Sequence, residues 1–251
     1  MKKIIVTGSE GFVGKALVEE LKRRGAEVIG IDRKSGIEAK NIRKYIDGVD
    51  CVFHLAAQTS VFNKDIGGIL YDNIETFIDV CDACNDNGVK LVYASSSTAN
   101  ESNTTSMYGI SKRFDEQYAA CYNKTATGVR LHNVYGPNPR KGTLLWTLLN
   151  NDTVTLYNNG ANKRHFTYLD DAVNGLIEAS QQDAPLVNVA NPQQLTTYEF
   201  ARVVGLFKPL NITLDVKPKE RDNDDQSLNR SVFCIPLHYN TVQEGVTKVF
   251  K

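Results

Sequence analysis

The sequence predicts an α/β fold, a parallel sheet doubly wound by helices, and three observations carry that expectation. Short β-branched runs alternate with longer stretches whose apolar residues recur at helical spacing, from Lys3 to Leu131. The first run ends in a glycine-rich turn, Gly8-Ser9-Glu10-Gly11-Phe12-Val13-Gly14, that opens directly into a helix-like stretch. The second run closes on an acid, Asp32, about 20 residues beyond that turn.

In chain order, Lys3–Thr7 is the first strand, 15–24 the first helix, with Gly25 as its stop, and 27–32 the second strand. A short helix at 41–47 leads to a buried strand at 50–55. Residues 66–87 carry a helical period and stop at Gly88, and 89–94 is the next buried strand. Helix 108–123 and strand Thr127–Leu131 complete the alternation. After Gly136-Pro137-Asn138-Pro139 the character changes. Helices are expected at 143–150, 170–180, 197–207 and 243–250, and strands at Thr153–Tyr157, 186–190 and 211–216. The chain therefore divides into a dinucleotide-binding Rossmann-type domain over 1–140 and a small C-terminal α/β substrate-binding region over 141–251. The two are interleaved, because a strand and helix near 165–190 are expected to return to the main sheet.

Composition bounds the partners. Of 251 residues, 29 are Lys or Arg and 29 are Asp or Glu, so no global field draws in nucleic acid or an anionic membrane. No run reaches the roughly 18 apolar residues of a membrane span, and the apolar run at the N-terminus is too short for a signal peptide. The five cysteines are odd in number and scattered; Cys81 and Cys84 form a C-x-x-C without a second ligand pair, so no metal site is expected. The reading is a cytoplasmic protein of a reducing compartment.

The chemistry follows from residue types in place. Gly8 permits a tight turn, Gly11 lets backbone approach a pyrophosphate, and Gly14 allows close helix–strand packing, with Phe12 and Val13 of the same turn as further cofactor-binding candidates. Asp32 is placed to accept from both adenosine-ribose hydroxyls and to repel a 2′-phosphate, which selects NAD; Arg33 and Lys34 follow it directly. Leu55, Ala56 and Ala57 end a buried strand in small residues, against which a cofactor can lie. His54, inside that strand, reads as packing. Ser95, Ser96 and Ser97 end another strand at its carboxyl side, where open α/β sheets bind ligands. Tyr108 and Lys112 stand one helical turn apart on one face. A free tyrosine titrates near pH ~10, and a lysine ammonium beside it favours the phenolate.

The ordered set of Thr7-Gly8-x-x-Gly11-x-x-Gly14, Asp32, His54-Leu55-Ala56-Ala57, the serine run, Tyr108-x-x-x-Lys112, Asn133-Val134-Tyr135-Gly136-Pro137, Arg164-x-x-x-Tyr168-x-Asp170-Asp171 and Arg221-Asp222-Asn223-Asp224 resembles the extended short-chain dehydrogenase/reductase family. Within it, the likeness is to the NAD-dependent nucleotide-sugar epimerase/dehydratase branch, in the manner of UDP-glucose 4-epimerases. The resemblance implies that the glycines and Asp32 hold NAD, that Tyr108 is the acid/base, and that Lys112 anchors the nicotinamide ribose. It implies that Ser97 hydrogen-bonds the reacting sugar hydroxyl and that Asn73 braces the catalytic segment from behind. Asn133, Arg164 and Arg221 fall where members of the branch hold the nucleotide diphosphate. It also implies a homodimer through a four-helix interface built from 66–87 and 108–123.

Departures are visible too. The segment between Asp32 and Asp50 is too short for the usual strand and adenine-contacting aspartate, and only ten residues separate Ser97 from Tyr108. Related dehydratases carry Asp-Glu directly after the residue matching Ser97, where this chain has Thr98 and Ala99. The implied function is epimerisation of a nucleotide-diphosphate sugar through a 4-keto intermediate. Net reduction of a keto-sugar with NAD(P)H and a non-catalytic NAD-binding sensor or scaffold are the alternatives.

Overall fold

The computed structural model describes residues 2–100, 106–217, 228–229 and 231–251. Among them, seven strands form one sheet: β1 (Lys3–Thr7), β2 (Glu27–Ile31), β3 (Cys51–His54), β4 (Lys90–Ser96), β5 (Thr127–Leu131), β8 (Leu186–Val189) and β11 (Phe233–Cys234). Their order is β11-β8-β5-β4-β3-β1-β2, and every pairing in the sheet is parallel. Parallel neighbours require crossovers, and the helices that make them cover both faces. On one face, α3 (Thr76–Asp86) and α4 (Met107–Tyr122) bury Phe77, Val80, Cys81, Cys84 and Ala119 against Ile5, Val52, Leu91 and Tyr93. On the other, α1 (Phe12–Arg23) and α6 (Leu169–Ala179) bury Leu17, Leu21, Val173 and Leu176 against Val6, Phe53, Val129 and Val187. Cys81 and Cys84 are thus core side chains, and burial pushes both thiols well above the usual range.

Strands β1, β2, β3, β4 and β5 start or end within two residues of their expected places, but other boundaries move for physical reasons. Helix α1 begins at Phe12, not 15, because the extended backbone of Gly11 already caps it. The short helix expected at 41–47 is a 3-10 segment at Ala39–Lys44, which buries Ile42. Strand β2 is an edge of the sheet: among the described residues no strand lies beyond it, in keeping with the short segment between Asp32 and Asp50. The run expected as one helix over 66–87 is continuous but irregular. It opens as α2 (Ile66–Ile69), widens to a π-helix at Leu70–Glu75, and resumes as α3.

The remaining elements form a third core at the carboxyl end of the sheet. Strand β6 (Thr153–Tyr157) pairs in parallel with β10 (Asn211–Asp215), and β7 (Lys163–His165) pairs antiparallel with β9 (Gln194–Thr196). With α5 (Leu144–Asn150), α7 (Thr197–Val204) and α8 (Val242–Val249), they bury Leu148, Leu156, Phe166, Phe200, Val204 and Val246. Tyr135 ties this core to the sheet through a bridge to Tyr168 and a hydroxyl that donates to the Val242 carbonyl at 3.1 Å.

Candidate active site

The order of the sheet reverses between β1 and β3, and at that switch point a cleft of about 1010 Å³ opens at the carboxyl ends of the strands. Its floor at one end is the glycine turn. Gly8 has φ +70°, and a Cβ there would lie 2.8 Å from Leu55 and Ala56 backbone atoms; a Cβ at Gly14 would lie 2.0 Å from the Gly8 carbonyl oxygen. At Gly8 and Gly14 the packing of backbone on backbone leaves no room for a side chain. This bare cradle at the start of α1 fits the pyrophosphate of a dinucleotide. Gly11, Phe12 and Val13 line the same end, and Leu55, Ala56 and Ala57 face them from the end of β3.

Asp32 lines the cleft at the end of β2, its carboxylate fixed by backbone N–H groups. Glu10 N donates to one oxygen at 3.0 Å and Lys34 N to the other at 2.9 Å. Arg33 also lines the cleft, but its guanidinium is committed. It pairs with Glu38 at 3.0 Å and grips both oxygens of Asp72, a residue of the π-helix. Burial works against the Asp72 carboxylate, but the Arg33 and Gln58 donors prevail and hold it below the usual carboxylate range.

The middle of the cleft is set by β4 and α4. Two of the three serine hydroxyls are engaged inward: Ser95 donates to Glu116, and Ser96 pairs with Thr98 Oγ1 at 2.8 Å. Ser97 begins a 3-10 turn and is half-buried in the cleft wall. Ser106 caps α4 by accepting from Gly109 N at 3.0 Å, which puts Tyr108 in the first turn of the helix, where it lines the cleft. Lys112 lies one turn deeper, does not line the cleft, and is 2% exposed.

The π-helix holds this middle section together. Asn73, fully buried, accepts from Gln58 N at 2.7 Å and donates to Gln58 O at 2.9 Å and Ser111 Oγ at 3.0 Å. Ser111 in turn donates to the Tyr108 carbonyl at 2.8 Å. One amide thereby locks the segment after β3 to the turn of α4 that carries Tyr108. Below it, His54 donates or accepts through Nδ1 to Thr7 Oγ1 at 2.9 Å and lies against Phe77. Burial, reinforced by the Lys112 charge, pushes His54 down to about 3, so it is a neutral packing group.

The far end of the cleft is cationic. Asn133 lines it with a left-handed φ of 37°, and Arg164 lines it from β7, largely buried. Arg140 and Lys141, which the motif reading passed over although they stand as a basic pair just after Pro139, also line this end. Arg140 reaches across the mouth to the Thr59 hydroxyl. From Leu131 onward, the described lining residues include three cations and no carboxylate. Arg221 lies outside the described residues. The sequence reading also missed Asp72 and Asp115, whose partners lie on other elements or across a helix turn.

The model of the NAD dependent epimerase/dehydratase family matches residues 4–190. The chain belongs to that family. Among curated members, UDP-glucuronate 4-epimerase 2 of Arabidopsis thaliana is 28% identical over 232 residues, which cover 70% of this chain and 54% of the relative. The chain thus spans about half the length of that relative. Among solved structures, an NAD dependent NDP-hexosamine 5,6-dehydratase of tunicamycin biosynthesis superposes with a TM-score of 0.82 at 22% identity, covering 100% of this chain and 97% of that one. The UDP-glucose 4-epimerase of Thermus thermophilus, solved with NAD, gives a TM-score of 0.75 at 22% identity, with 98% of each chain covered. At such identities the structural likeness establishes the fold, a Rossmann-like α/β sheet.

The Asn73 network yields a stability test. Asn73→Ala strands Gln58 N, Gln58 O and Ser111 Oγ in a buried place and is expected to cost roughly 1–3 kcal/mol. Urea unfolding checks this; an unchanged midpoint would show that the amide locks nothing.

Proposed function

We propose that this chain is an NAD-dependent epimerase acting on a nucleotide-diphosphate sugar through a 4-keto intermediate. The observation that carries the reading is the polarity of one continuous cleft. A bare glycine cradle lies at one end, a carboxylate-free cationic wall at the other, and Ser97 and Tyr108 stand between them. A diphosphate needs donors and positive charge, and the planar fork of arginine suits it. Arg164 is the residue we assign to that role, with Asn133 on the same wall of the cleft and, by the resemblance alone, Arg221.

NAD, when bound, supplies the acceptor and later the donor of the hydride. Tyr108 takes the proton of the C4 hydroxyl as that carbon is oxidised, and returns it when the ketone is reduced on its other face. Ser97 hydrogen-bonds the reacting oxygen. Lys112, buried one turn below and off the cleft wall, keeps a positive charge beneath Tyr108. Dehydration is outside this proposal: loss of water across C5 and C6 needs an acid and a base, and the matching positions are Thr98 and Ala99.

A thermal-shift panel of UDP-, GDP-, dTDP- and CDP-sugars, run with NAD, identifies the substrate class. A true ligand at a hundred times its dissociation constant stabilises by ~2.7 kcal/mol. With the sugar so found, Tyr108→Phe is expected to abolish turnover while leaving NAD affinity close to wild type, and mass spectrometry is expected to find no product lighter by one water. Retained activity in Tyr108→Phe would remove the central assignment, and a dehydrated product would replace epimerisation.

NAD is expected to bind more tightly than NADP. Asp32 repels the 2′-phosphate, and Arg33, one of the two cations that follow it, is already neutralised by Asp72 and Glu38. Freeing Arg33 with Asp72→Asn and Glu38→Gln together is expected to narrow the NAD-to-NADP ratio by on the order of tenfold, since a guanidinium–phosphate contact is charge-assisted. Calorimetric titration with both cofactors checks it; an unmoved ratio would place the discrimination in Asp32 alone.

The dimer and the cytoplasmic location belong to the same proposal. Phe114, Tyr118 and Tyr122 stack along the outer side of α4 with ring separations of 5.8 and 4.6 Å, and Tyr122 is 62% exposed, which supports a helix-to-helix contact there. No helix among the described residues is long and apolar enough to cross a membrane. Light scattering is expected to give twice the chain mass for wild type and less for Tyr122→Glu; a wild-type monomer would end the dimer proposal.

A further inference from the structure

Lys112 is a buried cation, and a buried cation needs a counter-charge. Among the described residues that counter-charge is Asp115, whose Oδ2 accepts from Lys112 Nζ at 2.9 Å while the two side chains are 3% and 0% exposed. Tyr108, Lys112 and Asp115 follow one another along one face of α4 at spacings of four and three. The carboxylate therefore stands on the side of the ammonium opposite the tyrosine. Its second oxygen, Oδ1, is buried with no hydrogen-bond partner, so the negative charge leans on Lys112 alone. The adjacent Glu116 is differently placed, being neutralised by two bonds from Arg130 at 2.8 and 2.7 Å and by the Ser95 hydroxyl.

We propose that Asp115 is a positioning residue that anchors one donor of the Lys112 ammonium from below and sets how much of its positive charge Tyr108 feels. This rests on the assignment of Tyr108 and Lys112 above. An ammonium has three donors. With one held by Asp115, the other two are left for the space beneath Tyr108. The same carboxylate that fixes the lysine also offsets its field at Tyr108.

The electrostatics agree in direction. Burial pushes Asp115 up to about 6 even against the pull of Lys112, and Lys112 is raised by Asp115 and Tyr108 although burial alone would lower it. The groups that bear on the pair are few. On α4 they are Tyr108 and Glu116; from α3 comes Cys81, from β4 Tyr93, and from β3 His54. Cys81, Tyr93 and His54 are neutral near pH 7, burial raising the first two and lowering the third, which leaves Asp115 as the anion whose removal Lys112 would register most.

The test reads Tyr108 directly and needs no substrate. Ultraviolet titration of tyrosinate, taken as the difference between each protein and its Tyr108→Phe counterpart with NAD present, gives the midpoint of Tyr108 ionisation. Asp115→Asn keeps the shape and removes the charge, and is expected to lower that midpoint by about one pH unit or more. Asp115→Glu keeps the charge and is expected to leave the midpoint within a few tenths of a unit of wild type. Should Asp115→Asn not fold, Asp115→Ser takes its place with the same expectation. An unmoved midpoint in the neutral variants, or an equal movement in Asp115→Glu, would overturn the proposal and leave Asp115 a packing residue. Full turnover in Tyr108→Phe would instead overturn the catalytic reading beneath it, so the two failures are told apart.

Discussion

The structure depends on three stretches of backbone meeting at one point with no side chain between them. The turn after β1, the first turn of α1 and the end of β3 converge there. Gly8 lies against Leu55 and Ala56, and Gly14 against the Gly8 carbonyl, at separations no Cβ can share. A helix that starts this close to the sheet presents its unpaired N–H groups at the switch point, where the order of strands reverses. Everything that follows in the cleft is registered to that contact. β3 places Ala56 and Ala57 beside it, and the segment after β3 runs on to Gln58 and the Asn73 amide. A side chain at Gly8 or Gly14 would displace the floor and, with it, the ladder of bonds that ends at Tyr108.

The π-helix is the second constraint. A regular α-helix over residues 66–86 would turn each later side chain by a fixed step. Widening at Leu70–Glu75 resets that phase before α3 packs its apolar face on the sheet. The same six residues supply Asp72, which occupies Arg33, and Asn73, which ties Gln58 to α4. One end of the cleft and its middle are therefore braced from one irregular turn, which is what the lost regularity of the helix provides.

Much of this was legible in the chain, for reasons that are local. β-branched runs gave the inner strands because buried parallel strands are nearly continuous in apolar residues. The glycine spacing, Asp32 and the Tyr108–Lys112 step are fixed by single turns of backbone. The missing strand could be read as a deletion between Asp32 and Asp50, and β2 is accordingly the edge. What was not legible depends on partners distant in sequence or on irregular backbone. The π-helix has no period of its own, so 66–87 read as one helix. The pairing of Arg33 was hidden because Asp72 stands 39 residues away. The three-residue strands β7 and β9 are too short to carry an alternation, and Lys163-Arg164-His165 read as a basic segment. Asp115 was silent because an aspartate at helical spacing from a lysine is ordinarily a surface pair; its complete burial is a property of packing.

Charge is sorted along the cleft in a way that explains why a chain with no net charge holds so polarised a site. Carboxylates gather at the end that carries the glycine turn, in Asp32, Glu38 and Asp72, and the last two occupy Arg33. Cations gather at the opposite end, in Arg140, Lys141 and Arg164, with no carboxylate among the described lining residues there to compete for a bound anion. Between the two, the reacting centre presents a neutral surface of serine and tyrosine hydroxyls to the cleft. Its charges are withdrawn one layer down, as Lys112 with Asp115 and as Arg130 with Glu116. Burying each cation with its own carboxylate removes the need for solvent at that depth, and it keeps the middle of the cleft free of a cation that would draw in an anion.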